Sequence, residues 1–566
     1  MISLNGVKRI GLDTETTGLD RHGSDLPVGV SIASPVGDAY YAFGHPEGNN
    51  CTLEQVQRWA KNELPGRQIS LVNPSFDLHM LKKAGIDLEA IGALPRGVQY
   101  KCALLDEKRR HYSLDSMSQD YLGKSKAQNG ALPENIHSMP GRLIADYAIL
   151  DARLTLEIDE HFEPLLDRQG LQRVAQLEDD LIYCVLHMEC QGVILDTNKL
   201  QRWDTDVSQK IQELEKGILL GVNPRSGPQL EKAFKYLGFE SFTRTEKDKP
   251  CFDENALKAY RLNGGKVAAL CDHLLTLRAV SGLKSRYTSK YLKEVGLDGL
   301  IRYNLHQCRT SDNGTVSGRF SASNINIQQV SAPEKQDPTT SSWIIRELFL
   351  PEPGSAWLSG DASQIEFRLF AHYSGSSKLV TAYQDNPDTD FHQVVAELTG
   401  LIRKLAKNVN FGMVYGMGQI KLANDLQLRP EQADSFFSEY HRRFPEARKL
   451  MNKCMRIARQ RGFVKTLLGR RRRFTDGHSL HSALNAVLQG SAADIMKKKM
   501  VAVYRERKNI NFNPRFVVHD EFDGDAYGDP LLVKKQLKEL LDIQDFNLSV
   551  PILWRVKTGS NWREAS

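Results

Sequence analysis

Apolar and polar positions change rhythm along this chain. From residue 1 to about 165, short apolar runs alternate with amphipathic stretches. KRIGLDTET, DAYYAFG and ISLVNP carry the residue types of strands, and DLHMLKKAGI follows with a helical period. That alternation predicts an α/β layered domain. From about 166 to 310 the pattern is mostly helical, opening on LQRVAQLEDDLIYCVLHMECQG and broken by charged stretches such as TRTEKDKP. The remainder mixes helix and strand, with a turn-rich segment at 311–340. There is no internal repeat and no long low-complexity linker, so the domains are expected to pack directly on one another.

Two apolar β-like runs in the last third lead into acids, WLSGDASQIEF with Asp361 and FVVHDEFDGDAY with Asp520 and Glu521. The second reads as a hairpin turning at His519–Asp520. Taken singly, an Asp at a strand end is usually a turn residue. Between them lies RKLAKNVNFGMVYG, with Arg403, Lys407, Phe411 and Tyr415 four residues apart. On a helix each four-residue step drifts only about 40° around the axis, so the four form one stripe. It begins cationic and ends aromatic. A helix with snorkelling cations shares part of that pattern. The combination also fits a ligand with an anionic end and a flat end, such as a nucleoside triphosphate.

Composition narrows the choices. With 566 residues the chain is too long for one core. Its 41% apolar and 25% charged residues are ordinary for a soluble globular protein. A net charge of +6 permits a nucleic-acid partner without requiring one. The eight cysteines include no C-x-x-C pair, which argues against a zinc site or a disulfide framework and suits a reducing cytoplasm. The first residues lack a signal-peptide layout, and no run of about 20 apolar residues predicts a membrane span.

Near the start, GLDTETTGLD places Asp13 and Glu15 two apart on a strand, on one face. Adjacent carboxylates repel unless they are protonated or bridged by a cation, and paired hard oxygens suit Mg²⁺ or Mn²⁺. Asp77, in NPSFDLHMLKKAGI, stands at a loop-to-helix junction, where a helix N-cap is the ordinary role. In YAILDARLTLEI, Tyr147 and Asp151 are one helical turn apart. The order D-x-E, D, Y-x-x-x-D resembles the DEDD-type 3′→5′ exonucleases with tyrosine, over about the first 160 residues. The resemblance implies a ribonuclease H-like domain. In it Asp13, Glu15, Asp77 and Asp151 would hold two metal ions, and Tyr147 would orient the attacking water. Ribonuclease D shares this signature, so these residues alone do not separate DNA from RNA.

DASQIE, RKLAKNVNFGMVYG and VHDE resemble motifs A, B and C of family A DNA polymerases, the group of bacterial DNA polymerase I and many bacteriophage replicases. SGRFSASNINIQQ, DFHQVVAELTG and NAVLQGSAADIMKKKM add matches in family order. The resemblance implies a multidomain α/β protein: an exonuclease domain over 1–165, then a right-hand polymerase domain over 166–566. Its thumb would cover about 166–310, its palm 311–378 and 476–566, and its fingers 379–475. Asp361 and Asp520 would bind two Mg²⁺, with Mn²⁺ a possible substitute, and Glu521 would stand behind them. Arg403 and Lys407 would hold the triphosphate, Lys407 also serving as acid for pyrophosphate. Phe411 would pack near the sugar, Tyr415 by the templating base, and His392 near the phosphates. Glu366 would exclude a ribose 2′-OH, unless it merely pairs with Arg368 or a neighbouring base. Arg319, Asn485 and Gln489 would contact the primer-template minor groove.

The implied partners are primer-template DNA, deoxynucleoside triphosphates and a processivity factor or other replisome proteins, with no membrane and a monomeric state. A bacteriophage replicase in the host cytoplasm is expected. The alternatives are a cellular repair polymerase, a nuclease whose second half only binds nucleic acid, and an RNA polymerase of related palm fold. No 5′ nuclease domain is expected ahead of the exonuclease. Ala362 replaces the usual motif A aromatic, which predicts looser packing beside Asp361. The RRRR run at 470–473 fits a solvated turn or a phosphate contact equally well. LKSRYTSK at 283–290 is the candidate DNA-backbone contact in the thumb.

Overall fold

The computed structural model describes residues 1–125, 135–218, 221–245, 247–309, 314–333, 336–400, 402–414, 423, 429–474, 477 and 479–566. The first domain is built on β1 (Arg9–Thr16), β2 (Pro27–Ser34), β3 (Gly37–Ala42), β4 (Gln68–Leu71) and β5 (Leu94–Gly97), in the order β3-β2-β1-β4-β5. β1 pairs antiparallel with β2 and parallel with β4, so it is the central strand where the sheet changes direction. The helix Gly141–Gln169 lies over it. Ile144, Ala148, Ala152, Thr155 and Ile158 are buried at three- and four-residue spacing, which aims one stripe at the sheet. It ends on Gly170 at φ 66°, a left-handed C-cap that glycine adopts without steric cost. The expected boundary at 165 falls inside this helix.

The second sheet has four antiparallel strands, Phe512–Val518, Glu521–Ala526, Ala356–Ala362 and Trp554–Gly559, in that order. On one face, Leu541 of the helix Pro530–Asp542 lies 3.2 Å from where a Cβ on Gly360 would be. Asp361, one residue on, therefore belongs to the opposite face. The helix Ala483–Glu506 is buried along most of its length. The helices Gly227–Tyr236, Glu254–Arg261 and Gly265–Leu283 enclose a separate small core around Phe234, Phe252, Tyr260 and Leu274.

The two halves share one continuous apolar core. Their joint also holds buried charge. Glu178 accepts from Arg470 Nη2 at 2.6 Å, Lys497 Nζ at 2.7 Å and Gln307 Nε2 at 2.8 Å. The RRRR run is not a solvated turn. Arg471 donates to the Gln169 carbonyl at 2.6 Å, Arg473 pairs with Glu107, and Arg470 also reaches Asp494. Three of the four arginines thus fasten the hairpin Phe463–Lys465/Arg471–Arg473 to the first domain or to the joint. Arg472 alone combines a longer 3.5 Å approach to Glu107 with a place on the wall of the central cleft.

Candidate active sites

In the first domain, alternation along β1 puts Gly11, Asp13 and Glu15 on one face, under the helix Gly141–Gln169. A Cβ on Gly11 would meet the Ala152 carbonyl oxygen at 2.1 Å. The helix comes this close only because Gly11 has no side chain, and the approach brings Asp151 to the strand. Asp13, Glu15 and Asp151 each offer a carboxylate oxygen, and the three lie within 4.8 Å of one another. A cluster of hard oxygen donors of this size fits a divalent cation. Tyr147 is half-buried one turn earlier, packed with Tyr40 and Ala42. Tyr40 lies over Gly29, which faces Glu15 across the sheet. Burial, together with the charges of Glu15 and Asp13, raises the Tyr40 hydroxyl well above its ordinary pKa. Its oxygen sits 2.6 Å from His45 Nε2.

Asp77 departs from the N-cap reading. The N-cap of its helix is Asn73, so capping is not its role. It lies outside the three-carboxylate group, and its Oδ1 accepts from the Thr14 hydroxyl at 2.8 Å. Thr14 faces away from Asp13 and Glu15 by strand alternation. Burial pushes the Asp77 carboxyl up to about 7.

In the second sheet, Asp361 sits opposite Glu521 in the strand register, and the Ala362 N–H donates to the Asp520 carbonyl at 2.9 Å. The turn thereby brings Asp520 beside Asp361. Burial, then the charges of Glu521 and Asp520, push the Asp361 carboxyl up to about 6. Such a pocket favours a cation. Glu521 has partners of its own. It accepts from Ser359 Oγ at 2.5 Å, Trp562 Nε1 at 3.0 Å and Arg346 Nη1 at 3.1 Å, which fits a supporting place rather than a ligand. Ala362 is buried and pairs with Trp554 in the strand register.

Arg319 joins residues whose link was not legible in the sequence. Its Nη2 donates to Glu366 Oε1 at 2.6 Å and lies 3.5 Å from Asp520 Oδ1. Arg368 is not the partner of Glu366. It donates to the carbonyls of Ser363, Pro551 and Pro387. Arg319, Gln489 and Asp520 line a cleft of about 770 Å³. Asn485 is one turn before Gln489 on the helix Ala483–Glu506.

The helix Arg403–Val414 forms as its spacing predicts. Arg403 and Lys407 are exposed on it, while Ala406 and Val409 are buried. Arg403 Nε donates to Asp390 at 2.6 Å, and Asp390 caps the helix Phe391–Thr399 that carries His392. Burial lowers the His392 imidazole to about 4. Its Nδ1 lies 3.2 Å from Asn410 Nδ2. The Phe411 side chain and Tyr415 lie outside the described residues. In LKSRYTSK only Leu283 and Thr288 are buried, while Ser285 and Arg286 are exposed. Thr288 and Ser289 donate to Asp204, and Tyr287 donates to the Gln329 carbonyl.

The eight cysteines are free, and among the described residues no helix is long and apolar enough to cross a membrane. The 3′-5′ exonuclease family model matches residues 2–167, and that of DNA polymerase family A matches 197–564. The chain is 28% identical over 631 aligned positions to DNA polymerase DpoZ of Salmonella phage PMBT28, covering 100% of this chain and 98% of that protein. To DNA polymerase DpoZ of Vibrio phage phiVC8 it is 27% identical, covering 98% and 95%. To DNA polymerase I of Pseudomonas aeruginosa it is 28% identical, covering 99% of this chain and 64% of that protein. The fold matches the POL domain of Pol1 from M. smegmatis, solved with DNA primer-template and dNTP. The TM-score is 0.84 at 23% identity, over 98% of this chain and 96% of that one. Enzymes with these two domains depend on divalent metal ions. On the sequence match and the two sites together, this chain belongs to DNA polymerase family A and carries a 3′-5′ exonuclease domain ahead of its polymerase domain.

Proposed function

We propose that this polymerase is a bacteriophage replicative enzyme that extends a DNA primer from deoxynucleoside triphosphates and trims mispaired 3′ ends at a second centre. The observation that carries the reading is the meeting of Asp361 and Asp520 at the edge of the cleft that Arg319 and Gln489 line. Full-length similarity to phage polymerases supports the replicative role.

Asp361 and Asp520 would hold two Mg²⁺, which Mn²⁺ could replace. When bound, such ions acidify the primer 3′-OH and neutralise charge on the transferring phosphoryl group. Arg403 and Lys407 grip the triphosphate, with Asp390 holding the Arg403 guanidinium in place. Lys407 gives a proton to the departing pyrophosphate. Glu366 closes the space a ribose 2′-OH would need, with Phe411 and Tyr415 near sugar and template. Arg319, Asn485 and Gln489 check base-pair shape through minor-groove acceptors. In the exonuclease domain Asp13, Glu15 and Asp151 form the inner ligand set, Asp77 an outer one, and Tyr147 orients water.

Primer extension on a long template, with deoxy- or ribonucleotides, tests the reading. Extension restricted to deoxynucleotides, with 3′ trimming when they are withheld, is the expected result. Trimming without any extension would leave only a nuclease, and preferred use of ribonucleotides would make the enzyme an RNA polymerase.

A further inference from the structure

We propose that Gln328 is a positioning residue for the catalytic turn at Asp520, and that Tyr287 ties this brace to the helical segment 265–294. The proposal rests on reading Asp520 as catalytic. The Gln328 Oε1 accepts from the His519 N–H at 3.0 Å, and its Nε2 donates to the Val517 carbonyl at 2.6 Å. One carboxamide therefore spans residues 517–519, immediately before Asp520. His519 has φ 54°, in the left-handed region that a side-chain-bearing residue enters only against a steric cost. Such a conformation persists when surrounding contacts over-determine it. Here they come from two sides, the Gln328 amide on one and the Ala362 N–H bonded to the Asp520 carbonyl on the other.

The brace is itself anchored. Gln328 belongs to the short turn Ile327–Gln329, which fully buried Ile327 pins to the core. The next carbonyl, that of Gln329, accepts from the Tyr287 hydroxyl at 2.8 Å. Tyr287 lies in the π-helical turn Lys284–Thr288, between the helices Gly265–Leu283 and Ser289–Glu294. A π turn rotates its side chains out of α-helical register, and this one sends Tyr287 to the brace. Gln328 also lines the cleft, but its acceptor and one of its two donors are spent on the turn. Its effect on insertion is therefore through Asp520, whose displacement by a fraction of an ångström would slow the chemical step while leaving nucleotide affinity alone.

The test compares Gln328→Ala, Gln328→Glu, Tyr287→Phe and the control Asp520→Asn in the full chain. Single-nucleotide insertion gives kcat and KM; digestion of single-stranded DNA and the melting temperature monitor the rest of the molecule. Gln328→Ala should lower kcat about 100-fold, with KM, digestion and melting unchanged. Gln328→Glu keeps the acceptor for His519 N–H and loses the donor, so it should recover about tenfold of that loss. It also decides the matter if the alanine variant melts early. Tyr287→Phe should lower kcat a few-fold. A kcat for Gln328→Ala within twofold of wild type, a change in KM alone, or a glutamate variant no better than alanine would overturn the brace. An unchanged kcat in Tyr287→Phe would overturn the tie. Full insertion by Asp520→Asn would instead overturn the catalytic reading beneath both.

Discussion

The two centres use the same inventory, carboxylates on a central strand, and assemble it differently. In the exonuclease domain a strand supplies Asp13 and Glu15 and a helix supplies Asp151, and the fit between them is steric: Gly11 lets the Ala152 carbonyl descend onto β1. In the polymerase domain Asp361 comes from a central strand and Asp520 from the turn of the neighbouring hairpin. Hydrogen bonds from Ala362 and Gln328 set the turn, and the Arg319 cation lies 3.5 Å from Asp520. One centre should be sensitive to added volume and the other to lost hydrogen bonds or charge.

Short of removing a catalytic carboxylate, the largest expected effect follows from the steric centre. Gly11→Ala forces a methyl into a backbone carbonyl, so the helix must shift and carry Asp151 with it. Digestion of 3′ ends should fall by about 100-fold or more while extension stays near wild type. Equal slowing of both rates would show that the centres are not separately built. The next effect concerns charge. Glu366→Ala removes both the proposed steric gate and a carboxylate partner of Arg319. The ribo-to-deoxynucleotide efficiency ratio should rise about tenfold, corresponding to about 1.4 kcal/mol of differential binding. Insertion kinetics showing an unchanged ratio would remove Glu366 from sugar selection.

A smaller effect belongs to the joint between the two halves. Buried His79 faces Ser75, Glu189 and Arg21, and burial, reinforced by the Arg21 charge, lowers its imidazole to about 3. The folded chain keeps it neutral, whereas the unfolded chain takes up the proton near the ordinary 6.5. Its stability contribution is therefore intact above about pH 6.5 and is lost progressively as pH falls from there towards 3. Between pH 7.5 and 5.5 wild type should lose about 1.4 kcal/mol more than His79→Gln. Parallel curves of melting temperature against pH for the two proteins would contradict this assignment.

Local pattern made much of this legible. The D-x-E alternation placed Asp13 and Glu15 on one face because strand geometry has period two. The apolar run before His519–Asp520 gave the hairpin, and four-residue spacing gave the helix bearing Arg403 and Lys407. What stayed hidden depends on contacts distant in sequence. Nothing near Gly11 announces a helix 141 residues into the chain, although a glycine inside an otherwise apolar strand is the one available signal for close approach. The RRRR run looked like surface charge because Glu107, Gln169 and Glu178, which absorb three of its arginines, lie 292 to 366 positions earlier. Arg319 and Glu366 were each assigned a role, but their ion pair follows only from the fold. Gln328 carried no signal beyond its place in SASNINIQQ.

The central claim is that two separately built centres share one chain, and it is tested most directly by measuring 5′-labelled primer length over time for two variants side by side. Asp13→Ala with Glu15→Ala should abolish shortening and leave extension near wild type. Asp520→Asn should abolish extension, by about 1,000-fold or more, and leave shortening intact when nucleotides are withheld. Loss of both activities in either well-folded variant, or near-normal extension by Asp520→Asn, would contradict it.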